Sequence, residues 1–247
     1  MPVMTVALRS HPLAVLAVLA LAAATVACAP VADPGRVEIQ QFSGTPSFYP
    51  QETGLRWSYL PDGARLDEPR YLVTVEGPTV LDGDVWILFR LVGGGQDAGF
   101  YRQFRDDGVF LRRQTRPGGS FTFDPPIREL PAPGELRVGA IWSGSTTVEG
   151  VFPGASRPEG RQFTQAVDYV YTVVDQRTVT VGERAYEVFV IDFTTRSFDA
   201  DGAVAEELTQ TLWFGPNVGT VRHENGWFLI ETNFTAEADA DADAPAP

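Results

Sequence analysis

Five tight-turn dipeptides constrain the fold of this chain more than any other feature of its sequence. Each consists of Asp or Asn followed by Gly and lies between two stretches with β-like patterns. Both central residues of a type I′ turn require positive φ, which Asn, Asp and Gly adopt most readily. The series therefore predicts consecutive antiparallel hairpins rather than parallel βαβ units. The dipeptides are Asp62-Gly63, Asp82-Gly83, Asp107-Gly108, Asp201-Gly202 and Asn225-Gly226.

Alternation of apolar and polar residues between these turns indicates strands. The stretches 84–92 and 186–193 are apolar on both faces, which is typical of strands covered on both sides. No convincing amphipathic helix follows the N-terminal apolar run. We therefore expect an all-β domain of about 11–14 strands over residues 53–235. Period-two patterns occur at Tyr71/Val73/Val75, at Leu136/Val138/Ala140/Trp142 and at Val167/Tyr169/Tyr171/Val173.

Three architectures suit this many antiparallel strands. The first two are one curved antiparallel sheet and an incomplete barrel, and the alternative is a two-sheet β-sandwich. The Pro-rich segment 127–136 interrupts the strand patterns near the middle of the domain. This segment either divides two subdomains or forms a corner within one.

A continuous apolar run precedes Cys28, the only cysteine of the chain. The run covers the fifteen residues 13–27. A membrane-spanning helix needs about 20 residues, whereas a run of this length suits the core of an export signal. One interpretation is an ordinary secretory signal with a cysteine nearby by chance. The other is a lipoprotein signal, because Thr25-Val26-Ala27-Cys28 resembles the bacterial lipobox.

The lipobox resemblance implies cleavage between Ala27 and Cys28, diacylation of the Cys28 sulfur and, usually, acylation of its new amine. Two or more acyl chains hold a protein durably on a membrane, whereas one chain does so only marginally. Ala29 is not the aspartate that retains lipoproteins at the inner membrane in the enteric sorting rule. The resemblance therefore predicts a lipid-anchored protein of the cell envelope. It would face the periplasm or the exterior, with the outer membrane favoured if the host has one.

Composition divides the chain into four segments. Residues 1–27 are predicted to form the signal-peptide helix, and residues 28–52, rich in Pro, Gly and Ser, a flexible tether. The β domain, 53–235, follows. The last segment, 236–247, is acidic and of low complexity, and it cannot bury enough apolar surface to become ordered. Its alternating aspartates lack the glycine and glutamate of a calcium loop.

Charge and residue usage exclude several classes of function. The formal net charge is -13 and the chain has no lysine, so non-specific binding to nucleic acid is not expected. After signal removal the only histidine is His223, so a nucleophilic triad lacks its usual base. Clusters of Cys and His for zinc are missing, and the Gly-rich loop 93–99 joins two strands rather than a strand and a helix. We expect no catalytic residue, metal or cofactor.

The segment 101–116 holds five arginines within this acidic chain. If a hairpin forms around Asp107-Gly108, Arg102 lies opposite Arg113 or, with a three-residue turn, opposite Arg112. Two facing arginines destabilise a hairpin unless an anion lies between them. One interpretation is that an Asp or Glu of an adjacent strand lies there. The other is a site in which these arginines bind a carboxylate or phosphate of a ligand, headgroup or partner.

The C-terminal part of the domain resembles a stretch shared by poorly characterised bacterial envelope lipoproteins. In them an aromatic pair leads into Pro-x-Val-Gly-x-Val-Arg/Lys and a last hairpin. The segments 179–194 and 130–142 resemble the preceding strands and the entry segment of the same proteins. The similarity covers about 130–234 and points to proteins likened to the lipoprotein carriers LolA and LolB. The matching residues are Trp213, Phe214, Pro216, Val218, Gly219, Val221 and Arg222.

This resemblance implies a curved antiparallel sheet whose apolar concave face receives acyl chains. LolA and LolB also close their barrel with helices, which this sequence lacks. The predicted function is a membrane-anchored lipoprotein whose non-catalytic β domain binds an apolar ligand, such as a lipid or acyl chain, or an envelope protein partner. One alternative is a structural lipoprotein of an envelope complex without a small ligand. Another is a hydrolase with convergent carboxylates of raised pKa.

Overall fold

The structure is a computed structural model that describes residues 48–154, 157–199 and 201–234, without the side chains of residues 154–160. The predictions for the signal peptide 1–27, for acylation of Cys28 and for the acidic tail 236–247 fall on residues outside these ranges. Within the described part of the chain, no helix is long and apolar enough to cross a membrane.

Twelve strands and one short 3₁₀ helix, Pro133–Glu135, are formed by the described residues. The helix lies between β6 and β7. The strands are β1 (Arg56–Pro61), β2 (Tyr71–Leu81), β3 (Asp84–Gly93), β4 (Gln96–Arg105), β5 (Gly108–Arg116), β6 (Gly119–Pro131), β7 (Ile141–Gly154), β8 (Arg157–Val181), β9 (Arg184–Phe198), β10 (Val204–Gly215), β11 (Gly219–Arg222) and β12 (Trp227–Thr232).

The twelve strands form one closed antiparallel barrel. Each pairs with its neighbours in the sequence, and β1 also pairs with β12. Within β1, Trp57 lies opposite Val73 on one side and opposite Thr232 on the other. The all-β, curved antiparallel fold predicted from the sequence is confirmed. Closure goes further than in the incomplete barrel of the prediction, since the twist of a long sheet brings its first and last strands together.

Loops alternate between the two ends of the barrel because successive strands run in opposite directions. The connections at one end, called the upper end, are 62–70, 94–95, 117–118, 201–203 and 223–226. The connections at the other end, called the lower end, are 82–83, 106–107, 132–140, 182–183 and 216–218.

The turn at Asp82-Gly83 is the two-residue hairpin turn that the sequence predicts. Its φ angles, 55° for Asp82 and 91° for Gly83, both lie in the left-handed region. The next lower turn differs from the prediction, because Arg105 pairs with Gly108 and leaves Asp106 and Asp107 as the turn residues. The other three dipeptides lie in longer connections at the upper end.

The Pro-rich segment 127–136 forms a corner and does not divide the barrel. β6 continues through this segment as far as Pro131 and pairs with β5 along most of its length. The 3₁₀ helix then turns the chain towards β7. The region from β1 to β12 is therefore one sheet with one core.

The main hydrophobic core fills the lower part of the barrel. Trp57, Phe89 and Phe214 are at most 2% exposed. The ring of Tyr49 packs among them, with its centre 5.6 Å from those of Phe89 and Phe214. Residues 48–52, predicted as the end of the flexible tether, therefore belong to the folded body, because their aromatic side chains are more stable inside the barrel than in water.

Replacing Gly108 by alanine is expected to lower the free energy of unfolding by about 2 kcal/mol or more. The φ angle of Gly108 is 141°, and an added Cβ would collide with the carbonyl oxygen of Leu130. Gly118→Ala is the matched control, since its φ is 80° but no atom lies within 4 Å of the added Cβ. Its expected cost is about 1 kcal/mol. Urea unfolding measures both values, and equal losses would contradict the prediction.

Candidate ligand-binding lumen

The upper part of the barrel contains a cavity of about 500 Å³, here called the lumen. Its walls come from β4 to β10 and from the connection after β11. Six aromatic side chains line it: Phe100, Phe121, Phe123, Phe163, Tyr171 and Phe193. Amide and hydroxyl groups alternate with them around the wall, from Gln114, Gln165, Thr195, Ser197 and Gln210.

Strand register places these side chains on the inner face of the barrel. Residues directly opposite each other on paired strands point to the same face. Phe121, Gly150 and Phe163 thus form one rung across β6, β7 and β8. Tyr171 and Phe193 form a deeper rung across β8 and β9, where their rings stack with centres 4.3 Å apart.

The number of strands explains why this part of the barrel is not filled. A barrel of about 8 strands is filled by its own side chains, whereas about 16 strands leave an aqueous channel. Twelve strands lie between these limits. Residues 48–55 occupy the lower part, but among the described residues no segment enters the upper part. The rings of Phe121, Phe163 and Phe193 consequently remain partly exposed although they face inwards.

A smaller cavity of about 110 Å³, here called the polar chamber, adjoins the lumen. Phe100, Glu129, Tyr171 and Glu224 line both cavities, so the two meet at these residues. The polar side chains around the chamber include Tyr49, Tyr59, Arg102, Glu129, Tyr171, Thr220, His223 and Glu224.

An ion pair between Arg102 of β4 and Glu129 of β6 forms one wall of the polar chamber. The Nε and Nη2 atoms of Arg102 donate to the two carboxylate oxygens at 2.6 and 3.1 Å. The two side chains are only 12% and 21% exposed. Burial of the Arg102 guanidinium favours loss of its proton, but the nearby Glu129 carboxylate stabilises the protonated form more strongly. The pKa of Arg102 therefore lies above its ordinary value. Both members of the pair are therefore charged.

Glu224 brings a second carboxylate to the polar chamber from the β11–β12 connection. Its side chain is surrounded by the barrel wall yet 42% exposed, and it lines both cavities. Burial raises its pKa, but the neighbouring His223, its own backbone amide and Arg102 lower it more. The net pKa lies below the ordinary value, so Glu224 carries a negative charge near pH 7.

His223 lies beside this carboxylate, with Nδ1 3.8 Å from Glu224 Oε2. Its Nε2 is buried and has no hydrogen-bond partner among the described residues. In a neutral imidazole one nitrogen donates and the other accepts. Since Nδ1 faces a carboxylate, the favoured tautomer carries the proton on Nδ1 and leaves Nε2 as an acceptor.

The structure corrects the predicted register of the arginine-rich hairpin. Arg102 lies opposite Leu111, not opposite Arg112 or Arg113, because the turn falls one residue earlier than predicted. A bulge then shifts the register, so that Tyr101 pairs with Arg113 and Arg112 has no direct opposite residue. No arginine of this hairpin faces another across the ladder.

The three arginines of the predicted anion site have separate partners. Arg102 binds Glu129, as described above. Arg112 forms ion pairs with Asp82 at 3.3 Å and Asp124 at 2.6 Å, and Arg113 donates to the Ser120 hydroxyl at 3.3 Å. These contacts disperse the three cations instead of gathering them around one anion. Carboxylates of other elements accompany Arg102 and Arg112.

Glu224 does not have the raised pKa that the hydrolase alternative requires. Glu129, Glu206 and Glu224 line the cavity, but Glu129 is held by Arg102 and the pKa of Glu224 is lowered. A general acid needs a raised pKa. Groups of His, Cys, Asp and Glu that could hold a metal ion do not occur in the described ranges.

The sequence did not identify Glu129, Glu224 or the lumen aromatics as site residues. Acidic residues are abundant in this chain, so no single one is distinguished by residue type. The sequence did contain a pattern for one strand of the lumen wall. Apolar residues alternate with other residues at Val167, Tyr169, Tyr171 and Val173, and all four lie on the inner face of β8. Alternation identifies a buried face but not a cavity behind it.

Comparisons with known proteins give two weak structural similarities. The chain is similar to the hypothetical lipoprotein YmcC of Escherichia coli, with 9% identity, coverage of 78% of this chain and 85% of that one, and a TM-score of 0.40. It is also similar to a protein of Parabacteroides distasonis described as a lipoprotein, with 12% identity, coverage of 76% and 99%, and a TM-score of 0.33. No family model matches the sequence, and no curated protein matches it. The function must therefore be argued from the lumen and the sequence.

Proposed function

We propose that this protein is a lipid-anchored binding protein of a bacterial cell envelope whose lumen holds the hydrocarbon chain of an amphiphile. The observation that carries the proposal is the cavity of about 500 Å³ lined by inward-facing aromatic rings. An apolar ligand that displaces water from partly exposed aromatic surface inside a barrel lowers the free energy of the system, and this favours binding. No chemical step is needed for this role.

The dimensions of the lumen suit a single extended chain. Phe121 and Glu129 mark its two ends on β6 and lie eight residues apart. That distance is about 25 Å along the strand and about 20 Å along the axis of a barrel with tilted strands. A volume of about 500 Å³ over this length gives a mean cross-section of about 25 Å². A single extended hydrocarbon chain fits a cavity of this length.

The anchor of the proposed function is Cys28. Cleavage after Ala27 and acylation of the sulfur would place the barrel at a membrane surface through residues 28–47. The support for this part is the sequence, in which the sole thiol follows an apolar run of signal length. An anchored barrel could take an amphiphile from the adjoining bilayer and shield its chain from water.

Mass spectrometry of the protein recovered from its host tests the proposed function. Under denaturing conditions we expect a chain that begins at Cys28 and carries acyl groups. Under native conditions we expect an added mass equal to one amphiphile. Val167→Trp should abolish this addition because it fills the lumen, while Ala166→Trp, on the exposed face of the same strand, should retain it.

Two outcomes would count against the proposal separately. A chain that still begins at Met1, or an unmodified sulfur, would remove the anchor. Repeated native spectra without a bound amphiphile, from protein that remains folded by circular dichroism, would remove the ligand-binding role of the lumen.

A further inference from the structure

We propose that the amphiphile binds with its polar end in the polar chamber and that this end is a primary ammonium group. The inference rests on the proposed function, since it requires a hydrocarbon chain in the lumen. It adds the orientation of the ligand and the chemical class of its headgroup.

The balance of charge in the chamber favours a cation. Arg102 is the cation among the chamber-lining side chains apart from any protonated His223, and two of its N–H donors are already directed at Glu129. Glu224 adds a negative charge that no arginine neutralises by direct contact in the described structure. A cationic headgroup would therefore compensate the charge of the chamber, whereas an anion would be repelled by the carboxylates of Glu129 and Glu224.

Hydrogen-bonding capacity selects a headgroup with N–H donors. The Glu224 carboxylate, which lines the chamber, accepts hydrogen bonds only. Tyr59 does not compete for the same acceptors, because its hydroxyl donates to the Thr220 carbonyl at 2.8 Å. A primary ammonium has three donors, and a quaternary ammonium has none, so only the first can hydrogen-bond to the Glu224 carboxylate.

Aromatic rings line the junction of the two cavities. Phe100 and Tyr171 line both the lumen and the polar chamber. The Tyr171 ring is stacked between Trp142 and Phe193, and the guanidinium of Arg102 lies 5.1 Å from the centre of the Phe100 ring. The same rings also contact the first methylene groups of the chain. The junction therefore suits an alkylammonium with its chain directed towards the upper end.

Four amphiphiles with the same ten-carbon chain test the headgroup: decylammonium, decyltrimethylammonium, decanol and decyl sulfate. Each is titrated below its micelle concentration into the chain from residue 28 onwards carrying Cys28→Ser, and heat or tryptophan fluorescence is recorded. We expect decylammonium to bind about tenfold more tightly than decanol. The affinity of decyltrimethylammonium should lie between these two, and decyl sulfate should bind most weakly.

The variant Glu224→Gln isolates the chamber charge. It should lower the affinity for decylammonium by about tenfold and leave the affinity for decanol nearly unchanged. Glu149→Gln is the matched control, because it removes the same charge from the exposed outer face of β7. This control separates a specific contact from general attraction to an acidic protein.

The outcomes distinguish the two proposals. One outcome is that decanol binds to the wild type and binds more weakly to Val167→Trp, while decyl sulfate binds as tightly as decylammonium. In that case the lumen holds a chain but the headgroup inference is wrong. An unchanged decylammonium affinity in folded Glu224→Gln would also overturn the inference. If none of the four binds, or if Val167→Trp binds them like the wild type, the proposed function itself fails.

Discussion

Arg102→Met is expected to lower the free energy of unfolding by about 3–5 kcal/mol. The substitution keeps most of the side-chain volume but removes the partner of Glu129, whose carboxylate is 21% exposed. A buried carboxylate without a counter-ion must either remain charged in an apolar surrounding or take up a proton, and both cost free energy. Urea unfolding followed by tryptophan fluorescence measures the loss.

The double variant Arg102→Met/Glu129→Leu separates the charge effect from packing. Removing both partners leaves no uncompensated charge, so we expect it to regain a large part of the stability lost in Arg102→Met. Arg90→Met is the control, since the ion pair of Arg90 with Asp97 is about half exposed and its loss should change stability little. If the double variant were no more stable than Arg102→Met, the charge argument would be wrong.

Trp57→Ala is the other substitution with a large expected effect, a loss of about 3–5 kcal/mol. Trp57 is 2% exposed, and its ring packs against Phe234 with centres 5.1 Å apart. Its Nε1 also donates to the Val218 carbonyl at 2.6 Å. Truncation leaves a cavity in the lower core and a buried carbonyl without its donor. The measurement is again the free energy of unfolding in urea.

Trp213→Ala provides the matched control for this prediction. Trp213 is only partly buried and lies beneath the guanidinium groups of Arg177 and Arg222 rather than in the core. The same truncation there should cost less than half as much. Similar losses for the two tryptophans would contradict the assignment of Trp57 to the centre of the core.

Local sequence signals predicted the fold class because they act over a few residues. Asp82-Gly83 forms its predicted turn, since both residues adopt positive φ at low cost. The pattern Leu136/Val138/Ala140/Trp142 was misleading in its first half. Val138 is 51% exposed, and the chain turns at Gly139, where φ is 83°. The strand begins only at Ile141.

Register was harder to predict than strand position. A shift of the β4–β5 turn by one residue places Arg102 opposite Leu111, and a bulge at Arg112 then places Tyr101 opposite Arg113. Both follow from contacts with β6, where Gly108 packs against the Leu130 carbonyl and Arg102 binds Glu129. A hairpin considered alone contains neither contact.

The sequence alone determined that this protein is antiparallel and all-β, because turn chemistry and period-two alternation are properties of neighbouring residues. It also placed the sole thiol at the end of an apolar run. Only the tertiary structure decided that β1 meets β12, that residues 48–52 pack inside the barrel, and that Glu129 and Glu224 face one cavity. These outcomes depend on contacts between residues far apart in the chain, such as Trp57 with Val218. Such contacts stabilise the protein only once the whole barrel has closed.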